Sequence, residues 1–316
     1  MPRHDPEGYE NEILELEEKI SELEEKNEWL RRLVRKLGGD PDRLKVSDPS
    51  LEEMKEMVEI EPCTFMMGAL DDDYDAEDDE NPSHAVTLTR KYSIGKYPVT
   101  QALWESVMGN NPSHFKGSSR PVEQVNWLDC VLFCNKLSEM EGLEKVYTLP
   151  DGLEQELHNQ TGNYDENIGK LSKEVSQNLD ADGYRLPTEA EWECAGRGGE
   201  SYLYSGSNNI DKVAWWSESS KSRTHGVGQK QCNGFGLFDM IGNVLEWCWD
   251  WWDDESEDYS SAPTEDPTGA TTGSDRKLRG GGWNRDAGDS RLSYRIWSNP
   301  SYRNSDKGFR LSRTIP

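Results

Sequence analysis

From about residue 200 onward, helix signals nearly vanish. Glycine-punctuated turns carrying Trp and Tyr replace them, as in "NGFGLFDMIGNVLEWCWDWW" (233–252) and "LRGGGWNRDAGDSRLSYRIWSNPSYRNSDKGFRL" (278–311). A chain with so little regular structure has to be held by aromatic packing and satisfied polar networks, and metal ions would assist. With 12 Trp, 12 Tyr and 28 Gly in 316 residues, the composition predicts many turns around an aromatic core, as one large domain or two ordinary ones.

Helix signals concentrate upstream. Thr100 caps "QALWESVM" and Gly109 stops it; Asn126 caps "WLDCVLFCNKL". Thr188 and Glu191 form a capping box behind Pro187, and Gly196, Gly198 and Gly199 close that helix. "HAVTLTRKYSIGKYPVT" contains two runs with strand alternation, and residues 146–182 read as a polar, partly insertional excursion. The acidic run "DDDYDAEDDE" (71–80) lacks the central Gly and terminal Glu of a calcium loop, so it reads as a solvated loop.

At the N-terminus, Ile13, Leu16, Ile20, Leu23, Asn27, Leu30, Val34 and Leu37 form a heptad seam over residues 10–37. β-Branched residues at a, Leu at d and a lone Asn27 at a favour a parallel homodimer, with a trimer as the alternative. A single amphipathic helix lying on the domain is the other reading. The expected organisation is a coiled-coil helix over 1–39, a polar linker over 40–58 and one domain over 59–316.

A net charge of −26 disfavours nucleic acid and anionic membrane surfaces, because Lys and Arg supply most phosphate contacts. No membrane insertion is expected, since no window reaches the length of a span, and the start of the chain lacks a signal-peptide pattern. These features point to a cytoplasmic or virion-associated product. The six cysteines, Cys63, Cys130, Cys134, Cys194, Cys232 and Cys248, include no C-x-x-C pair. Cys130 and Cys134, four apart on a helix, read as small buried hydrophobes rather than metal ligands.

The ordered series "TFMMG" (64–68), "NPSHAVTLTRKYSIGKYPVTQALWESVM", "NNPSHFKGSSRPVEQVNWLDCVLFCNKLS", "GYRLPTEAEWECAGRGG" (183–199), "NGFGLFDMIGNVLEWCWDWW" (233–252), "RGGGW" (279–283) and "GFRLSR" (308–313) resembles the formylglycine-generating-enzyme (sulfatase-modifying factor) family over about residues 60–316. The resemblance implies an irregular α+β domain of the C-type-lectin type. In that family a cysteine pair just after the "RGG" block holds copper and oxidises a substrate cysteine. Here those positions fall at Arg285 and Ser290, and no cysteine follows Cys248. Neither side chain supplies a thiolate, so copper and oxidase chemistry are not expected. Nothing upstream of residue 60 resembles the histidine-rich iron domain of the related sulfoxide synthases.

The framed segment is also similar to the variable proteins of diversity-generating retroelements, which use this lectin-type fold and keep a frame of Gly, Trp, Arg and a final "GFR". Positions between the frame residues are diversified there by adenine-directed mutagenesis. The resemblance implies a variable region over 284–306. Its candidate ligand-binding residues are Arg285, Asp286, Asp289, Ser290, Tyr294, Trp297, Ser298, Asn299, Tyr302 and Asn304; Gly288, Ser293, Ser301, Ser305 and Asp306 complete the variable set. Trp297 does not follow from a simple adenine change in an Asn codon.

Frame residues have physical reasons of their own. Gly280 to Gly282 allow close backbone approach, Trp283 is expected as a core anchor, and Gly308 in a left-handed or bulged conformation. Arg291, Arg295 and Arg310 are expected as buried partners of distant carboxylates. Tyr, Trp, Arg, Ser and Asn between such points are the residues of a recognition surface; an ordinary polar loop is the bland alternative. In "DMIGNVLEW", Asp239 and Glu246 with the carbonyls of Gly242 and Val244 look like a calcium site of the family. Alternatively, Glu246 pairs with an arginine such as Arg310. A second family calcium site near 209–220 yields no ligands.

Three functions compete. The first is a non-catalytic receptor for a protein, cell-surface or virion ligand. The second is a sulfatase-modifying-type oxidoreductase, which needs the absent cysteine pair. The third is a structural or regulatory module that packs on another subunit.

Overall fold

The computed structural model describes residues 51–252 and 264–315. The heptad segment 10–37, and with it the dimer or trimer expectation, lies outside them. The chain divides into two units, Met1–Glu53 and Met54–Pro316; the architecture below is that of the second.

Two four-stranded sheets organise it. The first orders β1 (Met57–Ile60), β4 (Tyr92–Gly95), β12 (Ser312–Thr314) and β7 (Tyr184–Arg185), all antiparallel, so the C-terminal strand is clamped between two earlier ones. The second orders β10 (Ile296–Ser298), β9 (Asp275–Arg279), β8 (Leu245–Trp252) and β11 (Lys307–Gly308). In it β10 pairs antiparallel with β9, while β11 pairs parallel with β8 on the other edge. The segment between β9 and β11 is therefore stitched to opposite edges of one β8–β9 core, which fixes both its ends. Two further antiparallel pairs join β2 (Cys63–Met67) to β3 (His84–Leu88) and β5 (Tyr147–Thr148) to β6 (Ser176–Gln177).

Helices form where the caps predict. Thr100 Oγ1 accepts the Leu103 N–H at the start of the helix Gln101–Met108, and Gly109 ends it in the left-handed region. The helix Trp127–Met140 carries a capping box between Asn126 and Asp129. The helix Glu189–Arg197 carries one between Thr188 and Glu191 and stops at Gly198. Trp127–Met140 runs through the core: Trp127 and Phe133 are fully buried, and Trp104 stacks on Phe133 with ring centroids 5.2 Å apart. Cys130 and Cys134 are buried on it, and burial drives both thiols up, as small core hydrophobes require. No helix among the described residues is long and apolar enough to cross a membrane.

Four expectations need correction. The domain begins before residue 59: Met57 and Val58 belong to β1, and Met54 is buried, its sulfur accepting the Thr100 hydroxyl at 3.0 Å. Residues 146–182 are no excursion, because Leu153, Leu157, Ile168 and Val175 all enter the main core. The acidic run is not simply solvated: Asp73 and Glu80 turn inward to meet an arginine described below. Gly308 is not left-handed; it lies in β11, where an added Cβ would sit 2.5 Å from the Val122 carbonyl oxygen.

Candidate ligand-binding face

The segment 280–306 leaves β9 through two glycines with positive φ, 93° at Gly280 and 69° at Gly281. A side chain at Gly280 would strike the Met240 carbonyl oxygen at 2.6 Å. The sequence places Gly here because the backbone must both turn left-handed and pass against its neighbour.

Arginines then anchor the segment at intervals. Arg291, 2% exposed, donates from Nη1 and Nη2 to the two Glu80 oxygens, each at 2.6 Å, and from Nη1 to Asp73 at 2.7 Å. Burial pushes the Glu80 carboxyl upward, but the hydrogen bonds from Arg291 and Ser293 outweigh it and hold the group below its ordinary range. Arg295 spans the two oxygens of Glu189 at 2.9 and 3.0 Å. Arg279 donates to Glu193 and to the carbonyls of Leu292, Ser293 and Tyr294, tying the segment to β9. Arg303 spans Asp129 at 2.8 Å on each side. Arg310 closes the frame through Glu246 at 2.6 and 2.8 Å. The three frame arginines expected as buried partners of distant carboxylates have that role; their partners are Glu80 with Asp73, Glu189 and Glu246.

Between these posts, most candidate residues reach the surface. Asp286 is exposed; Arg285, Asp289, Tyr294, Ser298, Asn299, Tyr302 and Asn304 are half-buried. Trp297 is 44% exposed and stacks on Trp252, with centroids 3.8 Å apart and planes 12° from parallel. Arg285 faces Asp289 at 3.5 Å. Partial burial and the neighbouring Asp289 push the Tyr294 hydroxyl up to about 12, so it stays protonated and able to donate. Asn299 is partly committed to the fold, since its Oδ1 accepts the backbone N–H and hydroxyl of Ser301.

Ser290 is a correction. It is wholly buried, in the short 3-10 turn Gly288–Ser290, where its hydroxyl donates to the Asp286 carbonyl at 2.8 Å under Gly281. Ser293, Ser301 and Asp306 from the wider variable set are also buried. Trp283 is half-buried rather than a core anchor: its indole N–H donates to the Ser305 carbonyl at 2.9 Å, and its ring meets Phe115 edge-on.

Of the four expected calcium ligands, the Asp239 and Glu246 carboxylates already accept donors from the protein. Both Glu246 oxygens take donors from Arg310, and one also takes the Trp192 indole N–H at 2.7 Å. Asp239 accepts the Gly228 N–H at 2.7 Å and the Asn243 amide at 3.3 Å. Burial, opposed by the Gly228 hydrogen bond, raises the Asp239 carboxyl to about 6. A cation at Glu246 would compete with the Arg310 guanidinium. Among the described residues, no group of three or more His, Cys, Asp or Glu side chains is placed to hold a metal ion.

Sequence reasoning missed Trp252, the platform beneath Trp297, and the carboxylates Glu189 and Glu193 behind the frame. The i, i+4 spacing of Glu189 and Glu193 on one helix face was a usable signal. It also missed a cleft of about 530 Å³ beside Arg303, lined by Pro112, Ser113, His114, Gln124 and Asn163. There the Gln124 N–H donates to the Asn304 carbonyl, so the cleft adjoins the candidate variable segment.

Residues 44–315 match the model of the sulfatase-modifying factor enzyme 1-like domain. The chaperone protein LppX of Paenibacillus barcinonensis is 38% identical over 250 residues, 72% of this chain and 82% of LppX. The formylglycine-generating enzyme of Streptomyces coelicolor is 38% identical over 116 residues, 32% of this chain and 36% of that enzyme. Among solved structures, Treponema denticola variable protein 1 superposes with a TM-score of 0.70 at 37% identity, covering 82% of this chain and 95% of that one. The chain belongs to the sulfatase-modifying factor (formylglycine-generating-enzyme) family, with a C-type-lectin-type fold similar to that of Treponema denticola variable protein 1.

Proposed function

We propose that this chain is a non-catalytic, receptor-like variable protein of the diversity-generating-retroelement type. Its ligand-binding face is Arg285, Asp286, Asp289, Tyr294, Trp297, Ser298, Asn299, Tyr302 and Asn304. The observation that carries this reading is the division within 279–310: each frame arginine reaches carboxylates outside the candidate variable region, while Trp297 and most of its candidate neighbours stay exposed or half-buried between them. A surface whose chemistry can change without touching its supports is what diversification needs. Stacked Trp and half-buried Tyr give rigid contact area, and Asn, Ser and Arg give adaptable hydrogen bonds. The ligand is a protein or another cell-surface or virion component. An oligomer through residues 10–37 would multiply weak single-site binding by avidity.

The alternative oxidoreductase would need thiols where Arg285 and Ser290 stand. Arg285 is engaged with Asp289, and Ser290 is buried in its turn.

The test is capture of partners from cell-surface and virion extracts by the full chain, repeated with Trp297→Ala and Tyr294→Ala. Partners lost with both variants support the reading. Partners retained equally by both, or oxidation of a thiol peptide by the purified chain, would overturn it. Sibling loci with adenine-type substitutions confined to 284–306 separate a diversified receptor from a packing module.

A further inference from the structure

Cys63 and Cys194 are 131 positions apart in sequence, yet their sulfurs stand 2.9 Å from each other. Cys63 opens β2, opposite Leu88 of β3, and is partly accessible; Cys194 lies on the helix Glu189–Arg197 and is 4% exposed. Neither belongs to the variable face, and neither takes part in the binding proposed above. Tyr92, whose hydroxyl donates to the Glu191 carbonyl at 2.8 Å, lies within reach of Cys194.

The two thiols differ in chemistry. The hydrogen bond from Cys194 draws the Cys63 thiol down to about 7, against an opposing effect of burial. The same bond drives Cys194 strongly upward, and its own burial adds to this. One sulfur is thus reachable and readily ionised, and the other is held behind it as a thiol.

We propose that Cys63 and Cys194 are a redox modification site that forms a reversible intramolecular disulfide, with a low-molecular-weight disulfide as oxidant. The Cys63 thiolate attacks one sulfur of the oxidant, forming a mixed disulfide and releasing one thiolate. Cys194 then loses its proton to solvent and attacks the Cys63 sulfur, releasing the second thiolate. Two thiols of the protein are oxidised by two electrons, one external disulfide is reduced to two thiols, and no other reactant enters. Bond formation brings the sulfurs from 2.9 Å to about 2.05 Å.

The bond would join two sources of the frame's counter-charges. The helix Glu189–Arg197 carries Glu189 and Glu193, which hold Arg295 and Arg279. β2 leads through Gly68, whose N–H donates to Glu193 at 2.9 Å, to Asp73 and Glu80, which hold Arg291. Oxidation would therefore fasten the supports of the face without touching it.

The experiment equilibrates the full-length chain in oxidised and reduced glutathione, traps free thiols, and maps peptides without reduction. The expected result is a peptide joining Cys63 to Cys194, a fall in free thiols from six to four, and a rise in Tm of about 5–10 °C that dithiothreitol reverses. Cys194→Ser should stop at a glutathione adduct on Cys63, and Cys63→Ser should leave Cys194 unmodified. A wild-type chain that accumulates the Cys63 adduct with Cys194 free, or that links other cysteines, overturns the proposal. The wild-type map decides the matter even if a serine variant fails to fold.

Discussion

Replacing Arg310 with Ala tests whether the frame carries the fold. Arg310 is fully buried and makes four hydrogen bonds: two to Glu246 at 2.6 and 2.8 Å, one to the Gly95 carbonyl at 2.8 Å and one to the Phe238 carbonyl at 3.0 Å. Alanine leaves Glu246, itself fully buried, with only the Trp192 N–H as a donor. An uncompensated buried charge costs about 3–5 kcal/mol, and two carbonyls left without a donor add about 1–3 kcal/mol each before water intrudes. A loss of about 5 kcal/mol takes much of a typical domain's stability and lowers Tm by roughly 10–20 °C. Denaturant unfolding followed by near-UV signals measures it, with an unchanged slope required for a two-state comparison. The double variant Arg310→Met with Glu246→Gln should recover about half the loss, because it removes the stranded charge and keeps an acceptor for Trp192. A loss under about 1 kcal/mol for Arg310→Ala, or no recovery in the double variant, would refute the frame argument.

Other outcomes follow from the same geometry. Trp297→Ala forfeits the stack on Trp252, about 0.5–1.5 kcal/mol, so calorimetry should show only a few degrees of Tm loss while partner capture falls; a loss matching Arg310→Ala contradicts the division of roles. Millimolar calcium, or its chelation, should leave Tm unchanged, since Glu246 is already filled by Arg310 and Trp192; a clear rise with calcium would show that the guanidinium yields. Burial, and after it the charge of Glu189, raises the Asp250 carboxyl to about 7. The folded chain then holds a proton that the unfolded chain releases near pH 4, so this group's contribution is present below that pH and lost as pH rises to about 7. Asp250→Asn should therefore melt progressively higher than wild type between pH 5 and 8, by on the order of 3 kcal/mol at the top, and a pH-independent difference would exclude Asp250 as the cause. Deleting residues 1–38 should leave a folded monomer by light scattering, and a persistent oligomer would place association elsewhere.

Local signals were legible and distant ones were not. Thr100, Asn126 and Thr188 announce their helices because a cap acts within four residues, and all three accept the expected N–H. The frame arginines were recognisable as buried cations, but their partners were not: Asp73 and Glu80 lie 218 and 211 positions before Arg291. A run of acids looks solvated until a guanidinium from elsewhere folds over it. Ser290 and Ser298 are the same residue in the same polar stretch, and only the turn beneath Gly281 buries the first. Trp283 and Trp297 likewise reverse the simplest expectation that a framed Trp is core and a variable one is not anchored. Trp283 bridges loops at half burial, whereas Trp297 rests on Trp252.

The distribution of charge adds a constraint on what the face can meet. Among the described residues, the buried charged side chains divide evenly by type, nine cationic and nine acidic. The net charge of −26 is then carried by the rest of the chain. Arginine is spent inward, where its planar fork satisfies carboxylates that water cannot reach, and the chain as a whole is left strongly acidic. A field of that sign slows the approach of anionic partners and speeds that of cationic ones, more so at low salt. Exchanging Arg285, Asp286 or Asp289 alters a few charges against that background, so diversification of the proposed face would change short-range fit and leave long-range selection to the scaffold. Association rates with any captured partner should therefore depend on ionic strength in the same direction across sibling variants, even where their affinities differ; opposite salt slopes among siblings would mean that the variable residues set the field themselves.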